Sequence, residues 1–181
     1  MEPRSVEELM DLLHACRGAH GPAGVPSPRA RPWGGGGEGG GAPSAAPPDL
    51  HEHALQTAAL LRRSRPADKE LQAAGLVHVI GRLLRPHDTA GQAGHAADAV
   101  RPLLGERVAH LVRLHREDPP REPVPEDVQA LRQADESART AGTDAGVLED
   151  WRTVLELLAA RHARLGAVDR HARPLSPDGP S

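Results

Sequence analysis

The sequence predicts an all-α protein, a helical bundle of about six helices, and three observations lead there. Apolar residues recur at helical spacing from Asp49 to Leu165. Capping residues and prolines interrupt that pattern at intervals of one short helix. No stretch alternates apolar and polar residues with the period of two that marks a half-buried strand.

The elements follow in order. Residues 5–17 read as a short helix: Ser5 and Glu8 form a capping box, Val6, Leu9, Leu12, Leu13 and Cys16 make one apolar stripe, and Gly18 ends it. Residues 18–48 are rich in Gly and Pro, including Gly34 to Gly37 and Gly39 to Gly41, and cannot repay ordering by burial. A glycine run can cradle phosphate only with a following Gly-Lys-Ser/Thr or a strand-turn-helix setting, which are missing here. Asp49 can cap a helix that stops before Pro66, Asp68 the next to Pro86, and Asp88 a third to Leu103. A fourth carries Val108 to His115 and is stopped by Pro119-Pro120; a fifth runs from about Pro125 to Thr140, and the last from Val147 to Leu165 around Trp151. The chain thus divides into an N-terminal helix (1–17), a flexible loop (18–48), a helical domain (49–166) and a disordered tail (167–181).

Composition excludes several function classes. A net charge of −3 offers no basic footprint for nucleic acid or an anionic membrane. Cys16 is the only cysteine, so there is no internal disulfide, and no apolar run approaches the ~20 residues of a membrane span. The acidic start, Met1 to Glu8, lacks a hydrophobic signal region, and a cytoplasmic protein is expected. Phe, Tyr and Asn are absent, so the core must be built from Leu, Val and Ala with Trp151 and Trp33.

Five side chains stand out: His53, His78, His95, His115 and Asp135. They are separated by 25, 17, 20 and 20 residues, about one helix and a connection each. One ligand per helix, converging in a bundle, is how helical proteins build metal sites. A lone helical histidine is more often a surface or hydrogen-bonded core residue, and His51, His87 and His110 are expected at the surface. Ser137 and Cys16 have no base placed around them in sequence, which leaves nucleophilic catalysis unsupported.

The segments His51-Glu52-His53-Ala54-Leu55-Gln56, Gly75-Leu76-Val77-His78-Val79-Ile80-Gly81-Arg82, Gly94-His95-Ala96-Ala97-Asp98, Val112-Arg113-Leu114-His115 and Gln133-Ala134-Asp135-Glu136 carry a resemblance. In that order they resemble the HD-domain superfamily of metal-dependent phosphohydrolases. They look most like its branch of di-iron oxygenases that cleave carbon–phosphorus bonds in small phosphonates, over roughly residues 5–160.

The resemblance implies imidazole ligands at His53, His78, His95 and His115, and a distal carboxylate at Asp135. It also implies a bridging Asp where this chain has Val79, and a further His where it has Arg82. The family's substrate-binding Lys and upstream Tyr have no counterpart, while Glu38 could match a Glu of that upstream loop. Two metals about 3.5–4 Å apart need a bridging carboxylate to offset their repulsion. Without one, the expected half-sites are His53/His78/Asp135, the ligand set of a mononuclear non-haem iron or catalytic zinc centre, and a weak His95/His115 pair. At most one metal, iron or another divalent ion, is expected, and Val79→Asp should raise the stoichiometry towards two.

Two functions follow. The first is an enzyme acting with one metal on a small phosphorylated or phosphonate molecule, with Arg82 or Arg139 as the anion-binding residues. The second is a catalytically inactive relative that binds a ligand or partner.

Overall fold

The computed structural model describes residues 2–19, 49–116, 124–140 and 145–171, with side chains up to residue 167. Among them are eight helices and no β-strand: α1 (Val6–Ala15), α2 (Leu50–Ser64), α3 (Lys69–Val77), α4 (Ile80–Leu84), α5 (Gln92–Leu104), α6 (Glu106–Leu114), α7 (Glu126–Ala138) and α8 (Glu149–His171).

Local chemistry sets most of the ends. The Ser5 hydroxyl accepts from the Glu8 amide at 3.2 Å, and Gly18, at φ +78°, turns the chain out of α1. Asp49 ties that turn to α2, accepting from the Gly18 amide at 2.6 Å and the His51 amide at 2.8 Å. Asp68 accepts from Leu71 at 3.0 Å and starts α3.

Three boundaries differ from expectation. The segment read as one helix from Asp68 to Pro86 breaks at His78-Val79, where ψ falls to −23° and −22° and Arg82 bonds back only three residues, to Val79. Asp88 caps a turn through the Gly91 amide at 2.9 Å, so α5 begins only at Gln92. The last helix runs through Gly166 to His171, correcting the expected tail over 167–171. The Gly/Pro loop from residue 20, Trp33, Glu38, Pro119-Pro120 and the chain beyond 171 lie outside the described residues.

Leu9, Leu13, Leu61, Leu71, Leu76, Ile80, Leu131, Trp151 and Leu155 fill one core to which α1 also contributes. α2 packs between α3 and α7, and α5 lies along α6. The interface of α4 with the start of α5 demands glycine: a Cβ on Gly81 would lie 1.9 Å from the Gln92 carbonyl oxygen. Outside the core, Arg107 at the start of α6 joins Asp68 (2.6 Å), Glu70 (2.9 Å) and Asp127 (2.9 Å), tying α3 to α7. No described helix is long and apolar enough to cross a membrane.

Candidate metal centre

Helix packing brings His53 on α2, His78 at the α3–α4 break and Asp135 on α7 to one buried point. Asp135 Oδ1 lies 2.7 Å from His53 Nε2 and 3.1 Å from His78 Nε2. The three donor atoms lie within 4.8 Å of one another. Asp135 Oδ2 accepts from Arg139 Nη2 at 3.1 Å, one turn along α7. The neighbouring acid, Glu136, points outward with its side chain 77% exposed, which separates it from Asp135.

His78 shows why this group suits a metal. Its Nδ1 lies 2.7 Å from the Gly75 carbonyl oxygen, which can only accept, so Nδ1 carries the proton. Burial pushes the His78 pKa down, so the ring is neutral and Nε2 holds a lone pair. That lone pair faces an acceptor oxygen at 3.1 Å. Burial on its own would raise Asp135, but contacts with His53 and His78 outweigh it and hold the carboxyl far below its ordinary range. Two acceptors face each other with no proton between them, an arrangement a bound cation satisfies.

His115, the last residue of the α6 turn, stands beside this group, its ring centroid 5.2 Å from that of His78. Its Nδ1 donates to Val112 O at 2.5 Å, leaving Nε2 buried without a partner. Burial lowers its pKa to about 3, so it is a neutral donor of lone-pair density. His53 Nδ1 is likewise buried and unpartnered. His53, His78 and Asp135 therefore fit a metal ion, in a His-His-carboxylate set suited to iron, zinc or manganese. The Gly75 and Val112 carbonyls fix two of the imidazoles as outer-shell partners do in metal sites.

His95 is not brought to this point. It sits half-exposed on α5 with Nε2 on Asp88 Oδ2 at 2.8 Å, closing the turn that begins its helix. The expected His95/His115 half-site is therefore not assembled. Val79 is 1% exposed and packs in the core, so the position offers no donor. His51, expected at the surface, is buried: its Nδ1 donates to Leu13 O at 2.9 Å, covering the end of α1.

Arg82 lies half-buried one turn beyond His78, and burial lowers its pKa; Arg116 and Arg139 act on it in the same direction, while Asp135 opposes. Of these three arginines, Arg139 is the one hydrogen-bonded to Asp135, and Arg82 and Arg116 lie near enough to act on one another. Sequence reasoning missed Arg116, although its place directly after His115 put it within reach of the same site.

An all-helical core that collects a His-His-carboxylate group from separate helices defines a class, the helical proteins with a metal-binding interior. The sequence profile of the HD domain matches residues 50–140, half of the chain and all of the helices that carry the three donors; the chain belongs to the HD domain family. No curated protein and no solved structure gives a significant match.

Proposed function

We propose that this protein is a metal-dependent HD-domain enzyme of the phosphohydrolase type, holding one metal ion on His53, His78 and Asp135. Its substrate is a small phosphorylated or phosphonate compound. The observation that carries this reading is the pair of facing acceptors, His78 Nε2 and Asp135 Oδ1, 3.1 Å apart in the interior. When bound, the metal supplies Lewis acidity for a phosphoryl oxygen and lowers the pKa of a bound water.

The chain's own residues define the rest. Arg139 orients Asp135 from its outer oxygen, and the Gly75 carbonyl holds His78 with Nε2 inward. Arg82, Arg116 and Arg139 raise the positive potential on the Asp135 side of the site and favour an anionic substrate there. His115 offers a further neutral nitrogen beside His78, and a pKa of about 3 makes it a poor general base near pH 7. The Glu52-His53-Ala54-Leu55-Gln56 string favours iron and the phosphonate-cleaving branch as the finer assignment.

The test is turnover of p-nitrophenyl phosphate and of small phosphonates by protein loaded with Fe(II), Mn(II) or Zn(II). Turnover should vanish on chelation and in His78→Ala. Activity that survives both changes refutes the reading. One observation favours a second reading: buried Val79 stands where the bridging carboxylate belongs. A metal-loaded protein that binds phosphonate without turning it over would be the non-catalytic binding module.

A further inference from the structure

Helices α2 and α3 form a hairpin across the connection at residues 65–68. Contacts between them run in opposite directions along the chain. Gln72 bonds the Arg65 carbonyl near the turn, Gly75 meets Leu61 and Thr57, and His53 meets His78 at the open end. The two imidazoles stand edge to face there with ring centroids 5.5 Å apart. Gly75 lies one turn before His78, and Thr57 one turn after His53.

At Gly75 the two helices leave no room for a side chain. A Cβ there would lie 2.5 Å from Leu61 Cδ1, 3.4 Å from Thr57 Cγ2 and 3.5 Å from Ala58 Cα. The last two distances are close to ordinary packing, so Leu61 is the obstacle: its terminal methyl fills the space that glycine leaves. Leu61 and Thr57 are both buried, and a close-packed interior gives neither a free direction to move. The same glycine also holds a ligand by its backbone, since its carbonyl accepts from His78 Nδ1 at 2.7 Å. A shift of α3 away from α2 at Gly75 therefore carries the His78 ring with it and opens the distance to His53. Backbone conformation gives no other reason for glycine. Among the described residues positive φ is confined to Gly18, Gly105 and Gly146, and inside a helix alanine is favoured over glycine.

We propose that Gly75 is a positioning residue for the metal centre: by leaving room for Leu61 it seats α3 on α2 at the spacing that brings His53 and His78 onto one ion. The inference rests on the metal-dependent reading above and adds to it a residue that touches neither metal nor substrate. Metal-binding constellations tolerate displacements of only about 0.5 Å, less than an inserted methyl group demands. A glycine needed for the fold alone would change stability and leave the metal affinity of the folded protein as it was.

Zn(II) affinity of the full-length protein, measured by competition with a chromophoric chelator, reads the spacing without any assay of turnover. Gly75→Ala should keep its helical circular dichroism and bind Zn(II) about tenfold or more weakly, within the roughly 10–100-fold range for losing a group that orients a ligand. Adding Leu61→Val removes the obstructing methyl and keeps the combined side-chain volume, the kind of swap that cores tolerate best. The double variant should recover most of the loss. Affinity unchanged in Gly75→Ala, or a loss that Leu61→Val fails to repair, overturns the proposal. If Gly75→Ala does not fold, the double variant decides alone: affinity near wild type supports the proposal, and a weakly binding or unfolded double variant overturns it. Imidazole nitrogen resonances of the metal-free protein separate the two levels. The His53 and His78 signals should move in Gly75→Ala and return in the double variant. That pattern in a protein whose wild type takes up no metal would sink the metal reading and leave Gly75 as the residue that spaces the two imidazoles.

Discussion

Asp135→Asn distinguishes a metal site from a structural ion pair. If the carboxylate served to neutralise protonated His53 and His78, breaking that buried pair should cost about 3–5 kcal/mol. The geometry argues otherwise. An asparagine turned with its amide nitrogen at the Oδ1 position can donate both hydrogens, to His53 Nε2 and His78 Nε2, now 2.7 and 3.1 Å from that oxygen. Its oxygen can then accept from Arg139 Nη2, which lies 3.1 Å from Oδ2. Every polar atom of the new side chain is satisfied and the facing lone pair of His78 is relieved, the one cost being a proton on the unpartnered Nδ1 of His53. Metal-free Asp135→Asn should therefore unfold within about 1 kcal/mol of metal-free wild type. Metal affinity should fall by more than the roughly 100-fold typical of losing an outer-shell partner. Scanning calorimetry with chelator and with excess divalent metal reads both. Metal at 100 times its dissociation constant adds about 2.7 kcal/mol to wild type, or ~5–10 °C at roughly 2–4 °C per kcal/mol. The variant should show almost none of that rise. A loss of 3 kcal/mol or more in the metal-free variant, or a full metal-induced shift, would refute the reasoning.

Other substitutions probe the surroundings. Val79→Asp buries a carboxylate at a core position that is 1% exposed, and should cost roughly 3–5 kcal/mol by denaturant titration. It should not raise the metal stoichiometry towards two, because His95 is engaged by Asp88 away from the centre; a count of two would show that α5 can move to supply it. Arg107→Ala should cost about 1 kcal/mol in low salt and less in high salt, since Arg107 and its three partners are each only partly buried and still reached by solvent ions. The Arg107 hydrogen bonds hold Asp68 below its ordinary value of 3.8, so this stability is present above that pH and is lost as pH falls through the depressed folded value. Acid unfolding of Arg107→Ala should therefore be flatter below pH 4 than that of wild type.

Local signals carried most of the helices into view. Ser5, Asp49 and Asp68 start helices as their capping chemistry requires, and Trp151 lies in the core. The break at His78-Val79 was hidden because both residues keep helical φ and ψ, and only the tighter ψ separates α3 from α4. The site was legible where ligand spacing tracks helix packing, as at His53, His78 and Asp135. It was misleading at His95, whose partner is the Asp88 of its own preceding turn, a local contact that regular spacing conceals. His51 depends on the Leu13 carbonyl 38 residues away, a contact that no local pattern encodes. Asp135 was singled out by the order of motifs, and the packing of α7 on α2 turns it inward while Glu136 faces solvent.

The central claim is one metal ion on His53, His78 and Asp135, and metal stoichiometry tests it most directly. Elemental analysis after incubation with Fe(II), Mn(II) or Zn(II) and desalting should give about one ion per wild-type chain. It should give almost none in His53→Ala or His78→Ala, and should remain near one in His95→Ala, whose side chain bonds Asp88. Wild-type protein that retains no metal, or retention unchanged in His53→Ala and His78→Ala, would contradict the account.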